Sequence, residues 1–451
     1  MNSWRSKKPK PSESINFTIQ RHSKLKFDNG LNCYFVRKDV LPIVRINVII
    51  NSGSKYDPES KKGLANLLAM CIDEGAGEFD ALQLSEQFDL LGAQFSIYAN
   101  ADSIQIVVQT LTENFSRSIE LLSKVLMSPH LHAEDFEREK RKILTRLQQL
   151  KDDPDFLAST AFEYYLLGNK NPYSFPTLGF TNTINNISNK DISSFYRQNV
   201  LPGNTFFVVT GNLTENTVVK ALDSNFNNWQ KQTTADKLTI SKKDDKNIIY
   251  VLDKKDSVQT EIRIGHQTSG RKSGDYFAKQ LLNTILGGQF TSRINLNLRE
   301  KHGYTYGAGS AFNYFQNSAY FLVSTSVGIE NTSNALREIF NELHNIRNGV
   351  TEKEVDFAKN SIKQKFPLNF ETYSQVASNI TSKIMFDLPD NYYETYLENI
   401  DEVTIDDINN AAIKYVLPDI AATVLVGDKE KIKSQLGKVN SGEVQFKELP
   451  L

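Results

Sequence analysis

Excess charge of one sign is missing: 52 Lys and Arg face 53 Asp and Glu over 451 residues, a net charge of −1. A chain so balanced is not built to grip phosphate backbones by bulk charge. No basic stripe with interleaved aromatics marks a nucleic-acid surface. Long apolar runs are also absent, and no stretch approaches the roughly 18 residues of a spanning helix. Neither nucleic acid nor membrane is therefore an expected partner. Cysteine is scarce. Cys33 and Cys71 both sit inside apolar patterns and cannot make a disulfide framework, so they read as buried thiols. That usage suits a reducing, cytoplasmic compartment; a processed N-terminus would instead fit the periplasm. Residues 1–14 (MNSWRSKKPKPSES) are basic and rich in Pro and Ser without an apolar core, which predicts a flexible arm. The Asn-x-Ser/Thr triplets at Asn114, Asn212 and Asn379 arise readily by chance in an Asn-rich chain.

What is present is an ordinary globular composition, 39% hydrophobic and 10% aromatic, on a length that suits about two to four domains. The chain also repeats itself. VLPGNTFFVVTGN near residue 200 matches VLPDIAATVLVGD near 416, pairing Leu201 with Leu417, Pro202 with Pro418 and Gly211 with Gly427. ENFSRSIELLSKVL from Glu113 resembles ENTSNALREIFNEL from Glu330 at nearly the same spacing. Two separate matches whose offsets agree within one residue mark a tandem of two similar halves.

Each half carries its elements in the same order. NCYFVRK and VRINVII run as strands, and GLANLLAMCI and LQLSEQFDLLG follow with helical spacing. AQFSIYA and SIQIVVQTL form a hairpin closed by Asn100–Asp102. A helix over 113–127 buries Ile119, Leu122 and Leu126, and a charged helix runs from about His132 to Leu150. Further helices, the strand TFFVVTG and a last helix complete the half. The second half is expected to repeat this, with strands near 248–252, 260–265, 304–313 and 318–327 and helices over 272–299. Strands grouped with helices that do not alternate one for one predict α+β sandwich layers. The polar, charge-rich stretch 230–246 is the expected linker. It divides an N-terminal domain over 15–229 from a C-terminal domain over 247–451.

Lys62-Gly63-Leu64-Ala65-Asn66-Leu67-Leu68-Ala69-Met70 resembles the first zinc helix of the M16 metallopeptidases, the insulinase and mitochondrial-processing-peptidase family. The likeness runs from about residue 25 to 430. It implies a duplicated sandwich of the kind shared by LuxS and the processing peptidase. In that family Gly-Leu-Ala precedes His-x-x-Glu-His. Two His at i and i+4 grip one zinc from a single helix face, and the Glu activates water. In this chain Asn66 and Met70 hold the His positions and Ala69 the Glu position. Matching on Arg138-Glu139 and Ile143-Leu144 puts Arg146 where the third ligand, a Glu, belongs. An amide, a thioether and a guanidinium are no set for zinc. The expectation is a chain without a metal of its own, zinc residing in a partner.

The second half keeps what the first has lost. Leu286-Gly287-Gly288-Gln289-Phe290-Thr291-Ser292-Arg293 leads into Leu298-Arg299-Glu300-Lys301-His302-Gly303-Tyr304-Thr305-Tyr306. This resembles the family's C-terminal signature, in which an Arg and a Tyr seven positions on reach toward the zinc site. Arg299 and Tyr306 carry the match. Arg offers a fixed fork of donors and Tyr a hydroxyl for a developing oxyanion. The plainer reading stays open, a helix capped at Gly303 that leads into a sheet. Some family members divide the work between a zinc chain and a chain with only the Arg–Tyr pair, and this sequence resembles the second kind. The processing peptidase's alpha subunit fits less well, since only Gly287-Gly288 stands where its glycine-rich loop expands.

The resemblance also implies an edge strand that takes extended peptide by backbone pairing. It falls on Gln94, Phe95, Ser96, Ile97, Tyr98, Ala99 and Asn100, and an ordinary sheet edge is the alternative. Other candidates are bland. His130, His132, Glu134 and Asp135 suit a polar helix start, His266 and His302 are isolated, and Cys71 beside Met70 points away from it on a helix. Gly287-Gly288 lacks the Lys and spacing of a phosphate loop. The expected role is thus the non-catalytic subunit of a heterodimeric metalloendopeptidase, with Arg299 and Tyr306 acting in trans on an extended peptide. A scaffold or peptide-binding protein without proteolysis is the alternative.

Overall fold

The computed structural model describes residues 19–231, 238, 240, 243–244, 246–436 and 443–449. The N-terminal arm and most of the expected linker lie outside the described residues. Among the described residues, twelve strands build two six-stranded mixed sheets. The first holds β1 (Ser23–Lys26), β2 (Asn32–Arg37), β3 (Ile43–Ile50), β4 (Gln94–Ala99), β5 (Ile104–Leu111) and β6 (Thr205–Gly211) in the order β1-β2-β6-β3-β5-β4. The second holds β7 (Ile248–Asp253), β8 (Gln259–Gln267), β9 (Ala308–Tyr314), β10 (Ala319–Gly328), β11 (Ala422–Gly427) and β12 (Glu443–Phe446) in the order β12-β7-β11-β8-β10-β9.

Five strands repeat from one sheet to the other. β2 pairs parallel with β6 as β7 does with β11, and the remaining neighbours are antiparallel in both. The sixth strand breaks the symmetry: β1 joins β2 antiparallel, whereas β12 joins β7 parallel from the other end of the chain. Neither was expected from sequence, because SKLK and EVQF are short and at least half polar. A second difference lies at residues 304–307, where the aromatic run reads as strand but the ladder begins only at Ala308. There the Asn295 side chain accepts the Ala308 N–H at 3.1 Å, and Thr305 Oγ1 accepts the Gly307 N–H at 3.0 Å. Side chains thus hold the backbone in a loop. Among the described residues no helix is long and apolar enough to cross a membrane.

One face of each sheet packs on helices of its own half. In the first half Val44, Ile46, Val48, Ile106 and Phe207 meet Leu67, Leu68, Ile119 and Leu122. Cys33 and Cys71 are both free and buried there. The other face of each sheet is covered by a helix borrowed from the opposite half. Helix Pro154–Leu167 sets Leu157, Ala158, Ala161 and Phe162 against Tyr250, Leu252, Tyr320, Val424 and Val426 of the second sheet. Helix Tyr373–Met385, its counterpart in the repeat, sets Val376, Ala377 and Ile380 against Tyr34, Val36, Ile49, Phe206 and Val208 of the first. Gly265 on β8 makes room for this exchange: a Cβ there would stand 2.9 Å from Phe162 Cζ and 1.9 Å from the Phe321 carbonyl oxygen. Each half would otherwise expose an apolar sheet face, so neither is complete alone.

The hairpin tips of the two sheets meet at Asp102. Its Oδ1 accepts from Lys55 Nζ at 2.9 Å and from the Tyr173 hydroxyl at 2.7 Å, and its Oδ2 accepts the Gln316 N–H at 3.0 Å. Lys55 Nζ also bonds the Gln316 side chain, and the Tyr173 ring stacks on Phe315 at 4.8 Å. Lys55 and Tyr173 are 2% exposed, so burial lowers the lysine and raises the phenol from their usual ranges. Breaking such a buried pair is more costly than never having made it.

Two outcomes follow from this shared core. Phe162→Ala should cost about 3–5 kcal/mol by leaving a cavity between the halves, read from urea midpoints, while unfolding stays a single transition. Two separate transitions in the wild type would show that the halves fold independently. The second concerns Glu163 on the same helix, whose carboxylate accepts the Tyr320 hydroxyl at 2.7 Å. Burial pushes its carboxyl from an ordinary 4.5 up to about 6, with the Tyr320 bond pulling the other way. Between those values the unfolded chain releases the proton first, so the folded state binds more protons and stability falls as pH rises, by about 2 kcal/mol. Glu163→Gln should remove that part of the slope when urea midpoints at pH 4.5 and 7 are compared.

Candidate functional site

Helix Leu64–Cys71 starts where a buried carboxylate holds it. Asp57 Oδ2 accepts the Gly63 N–H at 2.8 Å and Oδ1 the Ala65 N–H at 2.9 Å, and Lys62 Nζ donates to the Asp57 carbonyl at 2.8 Å. Burial pushes the Asp57 carboxyl up to about 7, against those two N–H bonds. Gly63 has φ +101°, and a Cβ there would stand 2.3 Å from Ile184 Cδ1. The glycine of the motif is therefore required by backbone conformation as well as by space. Asp57 is a residue that sequence reasoning missed; its only signal is an acidic side chain a few residues before a helix whose first N–H groups need an acceptor.

On this helix Asn66 and Met70 lie one turn apart on one face, and Asn66 Nδ2 points to Met70 Sδ at 3.8 Å. Ala69 is buried in the core of that half. Helix Ala133–Leu150 packs alongside, with Arg146 exposed and its guanidinium 3.4 Å from the Gln149 side chain. The side chains at these four positions are thus an amide, a thioether, a methyl and a cation, donors that do not fit zinc. The acidic side chains nearby are already engaged. Arg138 pairs with Glu74 at 2.6 Å, Asp135 at 2.6 Å and Glu139 at 3.2 Å, and Lys142 takes Glu139 at 2.7 Å. Burial also raises the carboxyl of Asp73 to about 6. Among the described residues no group of three or more His, Cys, Asp and Glu is arranged to hold a metal ion. The His130 and His132 rings lie tilted against each other with centroids 5.0 Å apart, and His130 Nε2 bonds the Gly77 carbonyl at 2.8 Å, both beside the start of that charged helix.

Strand β4 is the last strand of the first sheet and lies against helix Leu64–Cys71. Gln94, Ser96 and Tyr98 alternate outward as exposed residues, with Phe95, Ile97 and Ala99 half-buried beneath. Asn100 is not part of the strand. Its side-chain oxygen accepts the N–H groups of Asp102 and Ser103, each at 2.8 Å, which shapes the turn.

The second signature lies in the other half. Leu296–Lys301 forms a π-helical turn, with the His302 N–H reaching back to the Asn297 carbonyl at 3.1 Å. Gly303 then reverses the chain at φ +65°. Such π turns widen a helix and recur at functional sites. Here the turn carries Arg299 outward. Its guanidinium carbon sits 4.5 Å from the centre of the exposed Phe290 ring, and its Nε is 3.5 Å from Glu300. Tyr306 follows in the Gly303–Gly307 loop and is 91% exposed. The Gly287-Gly288 pair has a packing cause: a Cβ on Gly287 would stand 2.4 Å from Ser310 N, which donates to the Gly287 carbonyl. The chain thus gathers Asn66, Ala69, Met70 and β4 on one half and Arg299 and Tyr306 on the other.

Comparison with known proteins agrees with this geometry. The family sequence model described as "Insulinase (Peptidase family M16)" matches residues 35–171, and "Peptidase M16 inactive domain" matches residues 186–362. An "Uncharacterized zinc protease" of Rickettsia felis is 24% identical over 92% of this chain and 98% of its own length. A "Non-peptidase homolog YmxG" of Helicobacter pylori is 25% identical over 87% of this chain and 91% of its own. Among solved structures, a peptidase M16 inactive domain from Pseudomonas fluorescens superposes with a TM-score of 0.85 at 24% identity, covering 91% of this chain and 98% of that one. A protease from Helicobacter pylori gives 0.84 at 20% identity, covering 90% and 100%. With two M16 models in order along one chain and the duplicated sandwich beneath them, this chain belongs to the M16 peptidase (insulinase) family.

Proposed function

We propose that this chain is the non-catalytic subunit of a heterodimeric M16 zinc metalloendopeptidase, paired with a homologous subunit that keeps His-x-x-Glu-His. The observation that carries the reading is one altered surface beside one retained signature. Asn66, Ala69, Met70 and Arg146 offer zinc nothing, while Arg299 and Tyr306 stand at the surface on a π-helical turn and an exposed loop. The partner's zinc site would supply the activated water. Arg299 contributes charged N–H donors to a substrate carbonyl or carboxylate, and Tyr306 donates its hydroxyl to the oxyanion of the tetrahedral intermediate. The substrate is an extended peptide, and the terminal strand β4 offers it backbone hydrogen bonds.

Arg299 resting on Phe290, together with the Gly303 reversal, favours a second reading, in which the pair is kept for local structure and the chain is a scaffold. The printed name of the Helicobacter pylori relative, a non-peptidase homolog, is compatible with either.

Co-expression with a zinc-bearing M16 chain of the same genome separates the two. Arg299→Ala and Tyr306→Phe should each lower kcat on an extended peptide by about a hundred- to a thousandfold, with the complex intact by gel filtration. Unchanged cleavage would leave the scaffold reading. Metal analysis gives an independent check: the lone chain should hold far less than one zinc. The combined Asn66→His, Ala69→Glu, Met70→His and Arg146→Glu variant should take up zinc near one per chain. Stoichiometric zinc in the unaltered chain would overturn the proposal.

A further inference from the structure

Where the two hairpin tips and helix Tyr373–Met385 meet, an open cleft of about 390 Å³ lies at the end of β4. Tyr98, Phe315, Met385 and Phe386 supply aromatic and thioether surface to it. Asp102 is the single charged side chain among the described residues lining it, and both its oxygens are already taken by Lys55, Tyr173 and the Gln316 N–H. The cleft is therefore effectively neutral. Thr381 also lines it, is 7% exposed, and its hydroxyl is buried without a hydrogen-bond partner. A buried unpaired hydroxyl is an anomaly that calls for a cause. A threonine in a helix has two accessible χ1 wells, and turning this one toward the cleft breaks no hydrogen bond within the protein.

The position of the cleft links it to the strand edge. Residues of a peptide added to β4 alternate between faces in step with Gln94, Ser96 and Tyr98. Tyr98 itself lines the cleft, so the cleft adjoins the position a paired peptide would place beyond Tyr98 on that face. We infer that the cleft is a side-chain subsite for a neutral aromatic residue bearing a hydroxyl, a tyrosine of an extended peptide. Rings and sulfur suit its body, and the unpaired Thr381 hydroxyl suits its phenol. A carboxylate or ammonium would be desolvated with no free counter-charge. This inference rests on β4 being the peptide strand, and the experiment distinguishes the two failures.

The probe is a set of ten-residue, proline-free fluorescent peptides, identical except for one central Tyr, Phe, Leu, Glu or Lys, titrated by anisotropy against the full chain. The Tyr peptide should bind about tenfold more tightly than Phe, which is ~1.4 kcal/mol, and Glu and Lys should bind most weakly. Ser378→Trp, on the exposed face of the helix at the cleft, should weaken the Tyr peptide about tenfold with Tm unchanged. Thr381→Val should bring Tyr down to the Phe level without lowering Tm, an outcome that a purely structural threonine would not give. Peptides that bind without preference, or equally to the Ser378→Trp variant, overturn the subsite and leave the strand reading standing. Binding by none of the five overturns both.

Discussion

The structure depends on a reciprocal exchange of helices. Each sheet has one apolar face that its own half leaves uncovered, and the helix that covers it comes from the other half. Burial of side chains such as Phe162 and Ile380 in this exchange is worth on the order of 1.5–3 kcal/mol apiece. The gain is realised only when both halves are folded and docked. A repeat in the chain thus becomes a pseudo-symmetric single body rather than two beads on a string.

That constraint fixes the surroundings of the functional surfaces. With the outer sheet faces occupied by exchanged helices, the free backbone edges that remain include β4 and β9 at the ends of their sheets. The hairpin tips beside these edges are pinned by Asp102 and Lys55, a buried ion pair closed by Tyr173 and Gln316. Rigidity at that junction is what allows a cleft to persist between elements of different halves. It also explains why an acidic residue in a hairpin turn is half-buried with a cation instead of fully solvated.

The surface around Asn66 and Met70 illustrates how a helix can be held without one of its faces. Gly63, the Asp57 carboxylate and the buried Leu67, Leu68 and Cys71 keep helix Leu64–Cys71 in place. None of those contacts involves the face where Asn66 and Met70 now satisfy each other. The scaffold is therefore indifferent to the residue types on that face, and the side chains there are free to change. Arg299 differs in that it stacks on Phe290, which gives it a local packing role.

Periodicity and repetition determined much from the chain alone. The apolar alternation of β3 and β5, the helical spacing around Ile119 and Leu122, and the matched VLP…G segments are local signals, and local signals survive in one dimension. The residue types at 66, 69, 70 and 146 equally settle which donors stand at those positions, because ligand chemistry belongs to the side chain. Tertiary structure alone decided what depends on distant partners. The short charged strands β1 and β12 exist only because β2 and β7 offer them an open edge. Residues 304–307 leave the sheet because Asn295 captures a backbone N–H. The crossing of the two exchanged helices joins residues from about 90 to about 340 positions apart, and no local pattern carries information over such separations.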